Sequence, residues 1–205
     1  MKLHYNVASP YVRKVMAVAI ETGLRERLEL APRKMSPVNP SAELNRDNPL
    51  GKIPCLVTDD GLALYDSRVI CEYLDGLHDG PRMFPAAGPA RWEALRRQAE
   101  GDGILDAAVG TRYETFLRPE ERRWPDWVQG QKAKIARALD ALDGEAASFG
   151  ETVDIGTITI GCALGYLDFR YAADDWQRGR PKLAAWYDAF ARRPSMAETA
   201  PAEIW

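Results

Sequence analysis

The chain has 205 residues, 46% of them hydrophobic and 28% charged, with a formal net charge of −3 at pH 7. That is ordinary globular composition, long enough for one large domain or two small ones, and it offers no basic face to a phosphate backbone, so nucleic acid is not an expected partner. No run of about 18 apolar residues is present, so no membrane span is expected. The two histidines, His4 and His78, and the three scattered cysteines, Cys55, Cys71 and Cys162, show neither metal-ligand spacing nor a C-x-x-C pair. No metal site is expected. Residues 1–5 lack the basic-then-apolar order of a signal peptide, which points to a reducing, cytoplasmic setting.

In chain order, residues 2–5 read as a short first strand. Ser9-Pro10 then opens a helix, because serine is a favoured N-cap and proline a favoured first helical residue. Val12, Val15, Met16, Ala19 and Ile20 form its apolar face, and Gly23 ends it. Residues 28–31 read as a second strand. The stretch 36–48, rich in proline, serine and asparagine, holds one short helix near 41–46. Residues 53–57 form an apolar strand, Thr58-Asp59-Asp60-Gly61 a tight turn, and residues 62–65 the returning strand. Asp66-Ser67 caps a further helix with Val69, Ile70, Tyr73 and Leu74 inward. The order β-α-β-α-β-β-α predicts a mixed sheet with helices packed on it.

Residues 77–88 carry glycines and prolines in the pattern of a linker. Everything beyond reads as helix. Trp92, Leu95 and Ala99 begin one face, which weakens across Gly101-Asp102-Gly103. Arg118–Arg123, interrupted by Pro119, Glu120 and Glu121, reads as a solvated helix start. Residues 155–171 are apolar enough for a buried central helix, and Leu183, Trp186, Tyr187 and Phe190 mark a last one that stops near Pro194. The predicted organisation is an α/β domain over 1–76, a linker over 77–88, and an all-helical domain over 89–205.

Three features carry chemistry. Ile53-Pro54 at a strand start would, with a cis bond, turn the backbone and expose the Ile53 amide and carbonyl to an extended peptide; taken alone, the dipeptide equally suits an ordinary edge strand. Asp66-Ser67 at a helix start sets a carboxylate, a hydroxyl and free amides together, which suits an α-amino-acid zwitterion; plain capping accounts for the same pair. Ser9 at a helix N-terminus has a hydroxyl that can donate to an anion such as a thiolate. It too is a good N-cap, and the two roles are partly compatible.

Taken together, Ser9-Pro10-Tyr11-Val12-Arg13-Lys14-Val15, Asn48-Pro49-Leu50-Gly51-Lys52-Ile53-Pro54 and Leu64-Tyr65-Asp66-Ser67 resemble the N-terminal domain of serine-type bacterial glutathione S-transferases. The order of the motifs, the helical second half and the total length extend the resemblance over essentially the whole chain. It implies a thioredoxin-like first domain that binds glutathione as co-substrate, and a helical second domain that forms the pocket for a small hydrophobic electrophile. Ser9 would face the glutathione sulfur as the catalytic residue. The Ile53 backbone beside cis Pro54 would pair with the cysteinyl part, and Asp66 and Ser67 would hold the γ-glutamyl end.

Lys34 and Lys52 are candidates for the glycyl carboxylate, though both also read as solvated lysines. Asp102 is a candidate for the glutathione amine, across the interface of a homodimer in which Arg68, Glu72, Arg91, Arg96 and Arg97 ring Trp92 or Leu95; it reads equally as a kink residue between two glycines. Tyr11, Tyr113, Phe116 and Trp205 are the candidate electrophile pocket. Two departures from the family pattern stand out. Serine in place of cysteine at position 9 disfavours disulfide exchange. The capping box of the central helix is exchanged in type, with Asp154 leading and Thr157 following. A glutathione-binding regulatory protein of the same fold, similar to the stringent-starvation proteins, is the alternative to an enzyme.

Overall fold

A computed structural model describes residues 1–203 of the chain. They form two compact units: Met1–Ala86 together with the segment from Pro194 onward, and Ala87–Arg193.

The first unit is a four-stranded mixed sheet in the order β2-β1-β3-β4. β1 (Lys2–Tyr5) runs parallel to β2 (Glu29–Pro32) and antiparallel to β3 (Cys55–Val57), which is antiparallel in turn to β4 (Ala63–Leu64). Helix α1 (Pro10–Glu21) crosses from β1 to β2, α2 (Ala42–Asp47) lies between β2 and β3, and α3 (Ser67–Asp75) follows β4. This is the expected β-α-β-α-β-β-α order. Adjacent strand residues face opposite sides of a sheet, yet Leu3 and His4 are both fully buried, so β1 is covered on both faces.

His4 serves the α2 face. Its Nε2 lies 2.7 Å from Asp47 Oδ2, and its Nδ1 accepts a 2.8 Å hydrogen bond from Arg33 Nε. A ring nitrogen that accepts carries no proton, so Nε2–H is the donor to Asp47. Arg33 also pairs with Glu43, and Lys2 with Asp47 at 3.0 Å. This network, centred on the buried His4, ties α2 to the sheet.

The second unit holds α4 (Gly88–Arg112), α5 (Pro125–Glu145), α6 (Ile155–Tyr171) and α7 (Pro181–Phe190). Helix α6 is buried without a break from Ile155 to Leu167. Its N-terminus keeps a reciprocal capping box: Thr157 N–H donates to Asp154 Oδ1 at 2.9 Å, and Asp154 N–H donates to Thr157 Oγ1 at 3.0 Å. Exchanging the residue types costs nothing in connectivity, because each side chain supplies an oxygen acceptor.

Three sequence expectations change here. Helix α4 runs unbroken through Gly101-Asp102-Gly103, and Gly101 is a close-packing site rather than a weak point. A Cβ built there would meet Thr159 Cγ2 at 2.9 Å and the backbone of Thr159 and Ile160 at 3.0 and 3.1 Å. Arg97, expected among surface interface charges, is only 4% exposed. It donates to Ser148 Oγ at 2.8 Å, pairs with Glu93 at 2.7 Å, and sits 4.7 Å from the centre of the Phe149 ring. Its carboxylate, hydroxyl and aromatic partners make that burial tolerable. Pro194 does not merely stop α7. It opens a short helix α8 (Pro194–Ala197), as proline at a first helical position can. Helix α8 packs on α1: Arg13 Nη2 donates to the Met196 carbonyl at 3.0 Å, and Ser195 Oγ to Glu21 Oε1 at 2.5 Å.

Candidate functional site

Strand register places the three motifs of the first unit. The β1–β3 ladder pairs His4 with Cys55, and the β3–β4 ladder pairs Leu56 with Leu64. Continued outward, both ladders bring the segment after β1, the start of β3 and the segment after β4 to one end of the sheet. Ser9, Ile53-Pro54 and Asp66-Ser67 follow or begin those strands. Because β2 is parallel to β1 and pairs Pro32 with Tyr5, Lys34 belongs to the same end, as does Lys52 beside Ile53. Both lysines are exposed.

At that end each element offers particular groups. Ser9 is the N-cap of α1, and its Oγ accepts from Val12 N–H at 3.3 Å. A hydroxyl that accepts in this way keeps its proton for another acceptor, and no described residue takes it. The Ile53–Pro54 bond is cis. Neither the amide nor the carbonyl of Ile53 has a hydrogen-bond partner among the described residues. Asp66 caps α3, its Oδ1 accepting from Arg68 N–H at 2.9 Å. Capping thus uses one carboxylate oxygen and leaves the exposed side chain a second. Ser67 is 1% exposed.

Asn48, to which sequence reading gave no role, braces the loop that leads to Ile53. It is 1% exposed, donates from Nδ2 to the Lys52 carbonyl at 2.8 Å, and accepts from Leu50 N–H at 3.0 Å. The second bond is an Asx turn, and the Asn-Pro dipeptide is the signal that would have flagged it.

Cys55, directly after Pro54, offers no competing nucleophile. Burial, and next the Asp47 charge, push its thiol up to about 11, so it stays protonated at neutral pH. Among the described residues no cluster of three or more histidine, cysteine, aspartate or glutamate side chains is placed to hold a metal ion. No described helix is long and apolar enough to cross a membrane.

The remaining candidates lie elsewhere. Tyr11 is half-buried in the first turn of α1. Asp102 is buried on α4 in the second unit, 1% exposed. Tyr113 and Phe116 stand on a π-helical turn (Tyr113–Leu117) that prolongs α4, 41% and 61% exposed, with Arg112 stacked 3.7 Å over the Phe116 ring. Trp205 lies outside the described residues.

A small mixed sheet of this order, with Ser9, a cis-proline loop and an acidic-serine cap at one end and a helical unit following, places the chain in the class of folds that join a thioredoxin-like domain to a helical one. Residues 8–77 match the glutathione S-transferase N-terminal domain, and residues 125–189 match the glutathione S-transferase C-terminal domain. The chain belongs to the glutathione S-transferase family. It is 50% identical to a glutathione transferase family member from Pseudomonas fluorescens Pf-5 solved with bound glutathione, with a TM-score of 0.97 over 98% of this chain and 99% of that one. A second structure described as a family member from that strain carries bound S-(propanoic acid)-glutathione. It superposes with a TM-score of 0.92 at 48% identity, over 99% of this chain and 100% of that one. Among curated proteins, the uncharacterized GST-like protein YibF of Escherichia coli (strain K12) is 35% identical over 98% of both chains.

Proposed function

We propose that the protein binds glutathione at the sheet end described above and activates its thiol for attack on a small hydrophobic electrophile. One observation carries this reading: three loops with complementary polar groups converge at the same end of one sheet. From β1 to β4 is two strand spacings, about 10 Å at ~4.8 Å each. An extended tripeptide covers about the same span, at ~3.3 Å per residue. The γ-glutamyl ammonium goes to the free oxygen of Asp66 and its carboxylate to the start of α3 at Ser67. The cysteinyl backbone pairs with Ile53 as an added strand would. Lys34 and Lys52 supply cations for the glycyl carboxylate.

The sulfur then falls at Ser9. A free thiol has a pKa of about 8.5, and lowering it by about two units takes only ~2.7 kcal/mol of preferential stabilisation of the thiolate. One hydroxyl hydrogen bond and the N-terminal dipole of α1 are of the right size to provide it. The thiolate attacks the electrophilic carbon, forming a thioether as the bond to the leaving group breaks. Tyr11, two residues past Ser9, is the aromatic side chain of this unit nearest in sequence to that event. The S-substituted glutathione held by the Pseudomonas relative supports a sulfur position open to a substituent.

The test is Ser9→Ala. The expected result is nearly unchanged glutathione affinity, a thiolate absorbance that titrates at higher pH, and a conjugation rate with a generic aryl halide lowered by about 2–4 kcal/mol in activation terms. An unchanged titration removes Ser9 from the mechanism. Absence of glutathione binding by the wild-type chain defeats the reading outright.

A further inference from the structure

The first unit contains a second polar feature, on Arg13. This guanidinium is 5% exposed, and Nη2 makes its single hydrogen bond, to the Met196 carbonyl. Nε and Nη1 are buried with no partner. No carboxylate of a described residue lies within ion-pair distance of it. Buried charges in proteins are paired, because an uncompensated cation in a low-dielectric interior is costly. Arg13 is therefore a buried cation whose counter-ion the described residues do not supply.

Arg13 forms part of the wall of a cavity of about 160 Å³. A second cation, Arg25, lines the same cavity, as does Tyr5. Arg25 is only lightly engaged, by a 3.5 Å contact from Nη1 to the Leu28 carbonyl, and the Tyr5 hydroxyl has no hydrogen-bond partner among the described residues. The one acidic residue in the lining is Glu198, which is exposed and forms no ion pair with either arginine. Two cations against one solvated carboxylate leave a net single positive charge. The lining also holds apolar side chains, Val12, Met16 and Ile20 from α1 and Leu30 from β2. The space admits several water molecules, which suits a ligand of a few heavy atoms.

We propose that this cavity binds a small aliphatic monocarboxylate. The carboxylate answers the charge of Arg13 and Arg25 and accepts from the Tyr5 hydroxyl, and a short alkyl tail lies against Val12, Met16, Ile20 and Leu30. A monoanion matches the net charge of the lining. A multiply charged phosphate does not, and it would leave the apolar side chains bare. The site is independent of the glutathione reading, which assigns nothing to Arg13 or Arg25.

The test uses the full-length protein at pH 7.5, titrated with sodium propionate and, separately, with inorganic phosphate, with sodium chloride at matched ionic strength as the reference. Calorimetry and the thermal unfolding midpoint are read together. The expected result is saturable binding of propionate, weaker binding of phosphate, at least a tenfold loss of propionate affinity in Arg25→Gln, and a severalfold gain in Glu198→Gln. Both substitutions are outside the buried core, so they keep the test open if Arg13→Gln fails to fold. A propionate response no greater than that to chloride overturns the proposal. So does phosphate binding as tight as propionate, or an Arg25→Gln variant that binds propionate as the wild type does.

Discussion

Two glycines on α4, two residues apart, make a sharp test of the packing described for the helical unit. Replacing either by alanine brings the same intrinsic gain, about 0.8–1.0 kcal/mol of helix propensity. Their surroundings differ. A Cβ at Gly103 meets nothing within 4 Å, whereas at Gly101 it lies 2.9 Å from a methyl of Thr159 and 3.0 and 3.1 Å from backbone atoms of α6. Comfortable carbon contacts are about 3.5–4.0 Å, so the new methyl is short by roughly half an ångström or more on three atoms. Two of those are backbone and cannot rotate aside. Overpacking of this kind costs about 1–3 kcal/mol. Gly103→Ala is therefore expected to stabilise by about 1 kcal/mol, and Gly101→Ala to fall about 1–3 kcal/mol below it. In thermal unfolding of a chain of this size that gap is roughly 2–12 °C, at about 2–4 °C per kcal/mol; urea titration with far-ultraviolet circular dichroism gives it directly. Equal shifts in the two variants would refute the close crossing of α4 and α6 at Gly101.

Asp66→Ala is expected to abolish glutathione binding in calorimetry at a cost of only ~1 kcal/mol in stability, the usual worth of an N-cap; wild-type affinity would make Asp66 a cap and nothing more. Asp47 is held below its ordinary value of 3.8, first by the hydrogen bond from His4 and then by that from Lys2. A lowered folded-state pKa contributes stability that is complete above the unfolded value and is lost as pH falls through the folded one. The stability difference between wild type and Asp47→Asn should thus be constant above about pH 5 and shrink below about pH 4; a difference that stays flat down to pH 2.5 contradicts the network. Finally, Trp92 is 68% exposed on α4, an apolar centre of the kind a two-fold interface covers. Light scattering is expected to give twice the 22.9 kDa chain mass, and Trp92→Glu to halve it; a monomeric wild type ends the dimer reading.

What the sequence disclosed follows from how local each signal is. The caps at Ser9, Asp66 and Asp154 and the turn at Gly61 are decided within a few residues, and all were readable. The convergence of three loops was not derivable from those residues singly; it came from family resemblance, because strand register depends on partners tens of residues away. Gly101 was misread for a physical reason. A helical glycine weakens its own helix and at the same time admits a neighbouring one, and only the second effect depends on what packs there. Arg97 was misread because charge is a surface signal until a hydroxyl, a carboxylate and an aromatic ring surround it. Asn48 has no periodicity to announce it; its two hydrogen bonds exist only once the loop has closed.

The return of α8 to α1 has a consequence for the order in which the protein is made. All residues of the helical unit are contiguous, so it can complete as soon as it leaves the ribosome. The unit that emerges first cannot. Arg13 waits for a carbonyl 183 residues downstream, and Glu21 for a hydroxyl 174 residues downstream. At about 5–20 residues per second, the intervening Ala87–Arg193 takes on the order of 5–20 s to synthesise. During that interval one side of α1 stands uncovered, so the half born first is finished last. A chain rearranged to begin at Pro194 would give that unit all of its residues at once, and should shorten the period in which α1 is bare.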